Sequence, residues 1–117
     1  MKELTLYFNE KNILFKTIKE VEPKVLNSRK KIRIFSATGI DKNYYALFIL
    51  NSKSRFLRKN AQELMELCQV LADFEGHNFK KKILLIGSPL CSKAKDFLKQ
   101  NEWKVDEKYL NTALLKT

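Results

Sequence analysis

A chain of 117 residues fits one domain of ordinary size around a single core and leaves no room for two. Hydrophobic residues make up 44% of it and there are only three Gly and two Pro, which excludes a disordered or linker-like chain. Against 13 Asp and Glu stand 23 Lys and Arg, a formal charge of +10 that attracts polyanions such as nucleic acid or an anionic membrane.

The position of those charges says more than their sum. Nineteen of the 23 bases are Lys, and Asn, Ile, Phe and Tyr are also common, a mixture that A- and T-rich codons produce without selection for binding. The longest apolar stretch, Tyr44 to Leu50, is far short of the roughly 20 residues of a membrane-spanning helix. Met1-Lys2-Glu3-Leu4-Thr5 lacks a basic-then-apolar signal, so a cytoplasmic protein with no membrane partner is expected. Cys68 and Cys91 have no CxxC spacing and His77 is the only histidine. Reduced structural thiols, no metal site and no cofactor follow.

In chain order, Leu4-Thr5-Leu6-Tyr7-Phe8 has the make-up of a short strand, and Asn9-Glu10-Lys11-Asn12 of a polar turn. A strand at Ile13 to Ile18 completes a hairpin. Leu14, Ile18, Val21 and Val25 also stand at helical spacing, so residues 1–28 read as a hairpin or a helix, ended or kinked by Pro23. Lys31 to Ala37 alternates as a strand, Thr38 to Asn43 is its turn, and Tyr44 to Leu50 is apolar on both faces, as a central strand is. Asn60 with Glu63 resembles a capping box, and Gly76 closes the helix 60–75 that carries the apolar stripe Ala61, Leu64, Met65, Cys68, Leu71 and Ala72.

Ile83-Leu84-Leu85-Ile86 is a buried strand parallel to Tyr44–Leu50 across a helical crossover. Ser88 caps a second helix with Pro89 at its first position and Leu90, Ala94, Phe97 and Leu98 on its apolar face. Trp103-Lys104-Val105 is an edge strand and 108–116 a terminal helix. The fold class is therefore α/β, with α+β as the alternative. It has a mixed sheet of about five strands in a single domain, and its core over 31–105 runs β-β-α-β-α-β.

If the two apolar strands are parallel, their carboxyl ends bring Asn51 to Arg58 beside Gly87-Ser88-Pro89, the edge where open α/β sheets bind ligands. Lys53, Arg55, Arg58 and Lys59, interleaved with Phe56, then face a helix start whose free N–H groups favour an anion. Phe56 is available to stack on a base, or else sits in the core with Ser88 as a plain cap. Lys93 and Lys95 extend the basic surface. Arg29-Lys30-Lys31 with Arg33, and Lys80-Lys81-Lys82, precede strands and belong at the opposite, amino edge if those strands are parallel; the triple-lysine run entering a buried strand guards against aggregation. Cys91 lies at a helix start, which lowers a thiol's pKa, but only His77 could serve it as a base. No GxxxxGK[ST] or GxGxxG stretch is present.

A strand, a turn with Asp41, an apolar strand ending in Asn51-Ser52-Lys53, a basic stretch, a helix, then strand and helix again resembles the PD-(D/E)XK nucleases, the restriction-endonuclease-like group that includes Holliday-junction resolvases and repair nucleases. The resemblance spans Ile32 to Val105. It implies a Mg²⁺-dependent phosphodiester hydrolase in which Asp41 matches the family's Asp and Lys53 its Lys. Where the family has Glu, however, this chain has Asn51, a neutral amide that serves a hard cation poorly. The resemblance therefore implies a catalytically silent relative that binds DNA or RNA. A protein-interaction or homodimeric subunit using helix 60–75 is the alternative, and an active metal-dependent nuclease the third reading.

Overall fold

The computed structural model describes residues 8, 13–26, 32–51 and 54–107. Strand β1 is Phe15–Val21, β2 Arg33–Gly39, β3 Tyr44–Leu50, β4 Lys81–Ile86 and β5 Trp103–Asp106; helix α1 is Arg58–Glu75 and α2 Ser92–Gln100. They form one five-stranded mixed sheet in the order β1-β2-β3-β4-β5. The first three strands are antiparallel neighbours, while β3 with β4 and β4 with β5 are parallel. Two consecutive parallel steps, each crossed by a helix, are what the apolar runs at Tyr44 and Ile83 require.

Both faces of β3 are buried, which explains its unbroken apolar sequence. Ala46 and Phe48 join Ile34, Leu84, Ile86 and Trp103 beneath Leu64, Cys68 and Leu71 of α1 and Ala94 and Leu98 of α2. Tyr45, Leu47 and Ile49 face the other way, with Phe35, Ile83, Leu85 and Phe8, and with Ile13, Phe15 and Ile18 packed against them. Both helices thus lie on one layer. Among the described residues no helix is long and apolar enough to cross a membrane.

Several boundaries differ from the sequence expectations. Residues 15–21 are a strand, not a helix, and Pro23 opens a 3-10 turn, Pro23–Leu26. The partner of β1 is β2, whose six paired positions run from Phe15↔Gly39 to Val21↔Ile34. The expected first arm, Leu4 to Tyr7, and the terminal helix 108–116 lie outside the described residues; Phe8 is helical.

α1 starts two residues early. Leu57 is its cap and Asn60 its third residue, whose side-chain oxygen accepts a hydrogen bond from the Leu57 N–H at 2.9 Å. The polar residue therefore satisfies the helix start from inside. Gly76 closes α1 as expected, with φ of 80° and its N–H donating to Ala72 O, a left-handed geometry that glycine adopts without a Cβ penalty. Ser88 is not the cap of α2: it is 7% exposed, and α2 begins at Ser92 after its cap, Cys91. His77 is half-buried and stacks on Tyr44 with ring centroids 3.6 Å apart.

Candidate nucleic-acid interface

The parallel register of β3 and β4 pairs Leu50 with Ile86, and the Gly87 N–H donates to Leu50 O at 2.9 Å. Both chains leave the sheet at the same rim and stay together. Phe56 N–H donates to Pro89 O at 2.8 Å and Cys91 N–H to Phe56 O at 3.0 Å, a parallel bridge between Phe56 and Leu90. This bridge holds 89–91 extended, so the helix cannot start at Pro89. The caps of α1 and α2, Leu57 and Cys91, each follow a bridged residue, and the two helix N-termini open side by side.

Neither helix has an acidic residue in its first turn. Arg58 and Lys59 stand in that of α1, and Lys93 and Lys95 in that of α2. A helix N-terminus carries about half a positive charge, so each of these bases opposes the macrodipole where an acid would complement it. A local rule broken twice at adjacent sites is characteristic of a place that serves a ligand rather than the fold. An anion bound there would relieve the conflict.

The side chains divide by role. Arg55, Lys59 and Lys93 are exposed and have no carboxylate partner among the described residues. Arg58 is exposed too, with its guanidinium carbon 4.9 Å from the centre of the Phe97 ring, which fixes its direction. Lys95 is drawn off by Glu107, Nζ to Oε2 3.0 Å. Phe56 is 5% exposed and belongs to the main core, so its ring is packing for α1 and does not stand out for a base. Lys53 lies outside the described residues, as do Arg29, Lys30 and Lys31.

Cys91 reports the electrostatics of this rim. The Ala94 and Lys93 backbone N–H groups, helped by the charges of Arg55 and Lys93, hold its thiol below the ordinary range. Burial instead pushes Cys68 up to about 11. Both thiols are free.

Asp41 is elsewhere. It sits in the β2–β3 turn, at the amino end of β3, whereas Asn51 follows the carboxyl end; the seven-residue strand between them is roughly 20 Å long. Asp41 and Asn51 therefore lie at opposite ends of β3 and cannot share one metal ion. The Asp41 carboxylate organises its turn. It accepts from the Asn43 backbone N–H at 3.1 Å, Asn43 Nδ2 at 2.9 Å and the Tyr45 hydroxyl at 3.0 Å, and those bonds, the Asn43 backbone one first, lower its pKa.

The opposite-edge placement expected for Arg33 required a parallel strand; β2 is antiparallel to β3, so Arg33 lies beside Ile49 at the carboxyl rim. Its guanidinium clasps Glu20, Nε to Oε2 3.0 Å and Nη2 to Oε1 3.1 Å, and that hydrogen bonding keeps the Glu20 carboxyl below the usual range. Lys81 and Lys82 open β4 at the amino edge, as expected. Among the described residues no three His, Cys, Asp or Glu side chains gather as metal ligands would.

Comparison of the whole fold with solved structures gives two informative likenesses. One is to the structure of EndoMS in apo form, with a TM-score of 0.56 and 15% identity over 91% of this chain. The other is to a repair endonuclease from Pyrococcus abyssi, with a TM-score of 0.51 and 18% identity over 89% of it. The fold is nuclease-like. The chain spans 44% of the length of each of those proteins. No protein-family model and no curated protein sequence matches it.

Proposed function

We propose that this chain is a non-catalytic nucleic-acid-binding domain that grips a phosphate backbone at the carboxyl rim of its sheet. The observation that carries the proposal is the pairing of two helix N-termini, tied by the Phe56–Leu90 bridge, whose first turns hold bases and no acids. Backbone N–H groups and the flexible cations Arg55, Lys59 and Lys93 together suit a row of phosphates, which fix position without reading sequence. Likeness in fold to repair endonucleases supports nucleic acid as the class of polyanion.

Three features favour binding without hydrolysis. Asn51 offers an amide where a carboxylate ligand would be needed. Asp41 lies at the far end of β3, bonded into its own turn. Glu20, a carboxylate beside the start of β2, is engaged by Arg33. The direct test is fluorescence anisotropy with a labelled duplex and a labelled single strand at about 50 mM salt, where phosphate contacts are strong. Binding that weakens steeply with salt, and a duplex left intact with Mg²⁺ or Mn²⁺, is the expected result. No binding at low salt removes the proposal; metal-dependent cleavage abolished by Asp41→Ala would replace it with the nuclease reading.

A further inference from the structure

The rim uses only the first turn of α1, and the flank of the same helix has the opposite chemistry. From Asn60 to Glu75 it carries four acids, Glu63, Glu66, Asp73 and Glu75, and no Lys or Arg, where the average of 23 bases in 117 residues would place about three. At 100° per residue, Glu63, Glu66, Val70, Asp73 and Phe74 fall within an arc of about 100° that adjoins the buried stripe without overlapping it.

Two apolar side chains one turn apart are left in water on this arc. Val70 is 42% and Phe74 52% exposed, whereas Phe8, Phe35, Phe48, Phe56 and Phe79 are at 6% or less. No base among the described residues pairs with Glu66 or Asp73; Asp73 accepts only from Gln69 Nε2, at 3.2 Å, and Glu63 accepts from Asn60 Nδ2. In a chain of charge +10, an apolar ridge flanked by acids is a segregated surface. Nucleic acid is repelled from it, and two-fold packing of a second copy would set acid against acid.

The geometry points to a docking surface for a basic amphipathic helix of another protein, with apolar side chains over Val70 and Phe74 and Lys or Arg against Glu66 and Asp73. An i, i+4 ridge of this kind is what a partner helix packs across. The inference stands apart from the nucleic-acid reading, since it uses a different face and the opposite charge.

The test is a titration of the ¹⁵N-labelled full chain with a helical peptide of about 18 residues built from Leu and Lys, and with its counterpart carrying Glu for every Lys. The Lys peptide is expected to shift amides along the Glu63–Phe74 flank and to bind at least about tenfold more tightly than the Glu peptide. Val70→Ser/Phe74→Ser and, separately, Glu66→Lys/Asp73→Lys should each weaken it by about tenfold while leaving Tm near the wild-type value, because all four side chains are exposed. Shifts confined to other surfaces, equal binding of the two peptides, or self-association in sedimentation that Val70→Ser/Phe74→Ser abolishes would each overturn it.

Discussion

Replacing Arg55, Lys59 and Lys93 together by Ala removes three of the four described rim cations and spares Arg58, whose guanidinium also packs on Phe97. Lys95 and Arg33 are not counted, because Glu107 and Glu20 neutralise them. Four phosphate contacts give a slope of log affinity against log salt of about −3.6, so raising salt from about 50 to about 200 mM should weaken wild-type binding about 150-fold. The triple variant keeps one contact and a slope of about −0.9, and over the same range it should lose only about 3.5-fold. Anisotropy titrations of a labelled duplex at several salt concentrations measure both slopes. A control with Lys16, Lys42 and Lys99 changed to Ala, all away from the rim, keeps the net charge of the triple variant equal. An unaltered slope in the triple variant, or an equal fall in the control, would refute the placement of the phosphate backbone at the rim.

Cys91 should be alkylated by iodoacetamide at neutral pH on the order of tenfold faster than Cys68, since its N–H donors favour the thiolate and burial disfavours that of Cys68. Saturating duplex should protect it, and mass spectrometry that finds Cys91 equally reactive with and without duplex counts against the rim. Asp41→Ala should lower Tm and leave duplex affinity unchanged. The Asp41 pKa is lowered in the fold, so its stabilising contribution is complete above the ordinary carboxyl value of about 4 and is lost as pH falls through the depressed one; wild type and variant should therefore converge in Tm in acid. Gly39→Ala should also destabilise, because its Cβ would meet the Asp41 carboxylate and the Tyr45 ring, the latter at 2.7 Å. Phe56→Ala should cost about 3–5 kcal/mol in denaturant unfolding, as deletion of a core ring does. A fully stable Phe56→Ala protein that has lost only binding would restore the ring to the ligand.

The elements with strong periodicity were legible in the sequence: β3 and β4 from unbroken apolar runs, α1 from its stripe and Gly76, and hence the shared rim. What escaped was pairing at a distance. Nothing local in Ile13 to Ile18 says that its partner is β2, because a strand's neighbour is chosen by tertiary packing. Ser88-Pro89 is a good helix start by composition, yet the bridge from Phe56 overrides it, and propensity is a weak prior against tertiary hydrogen bonds. The alternation that hides Phe56 among charged neighbours was visible, but its burial was decided by α1 landing over it. Asp41 was placed by order along the chain, and an antiparallel strand reverses which end of β2 meets the end of β3. The basic first turns of α1 and α2 were readable, though their significance depends on the two helices starting together.

The two main-chain hydrogen bonds between Phe56 and the segment Pro89–Cys91 have a consequence for how this domain can change over generations. They use no side-chain atom, so the spacing of the two helix openings is inherited through the backbone. Individual bases around them can be exchanged, lost or regained one at a time while the frame that presents them stays put, which leaves binding strength adjustable in small steps without refolding the scaffold.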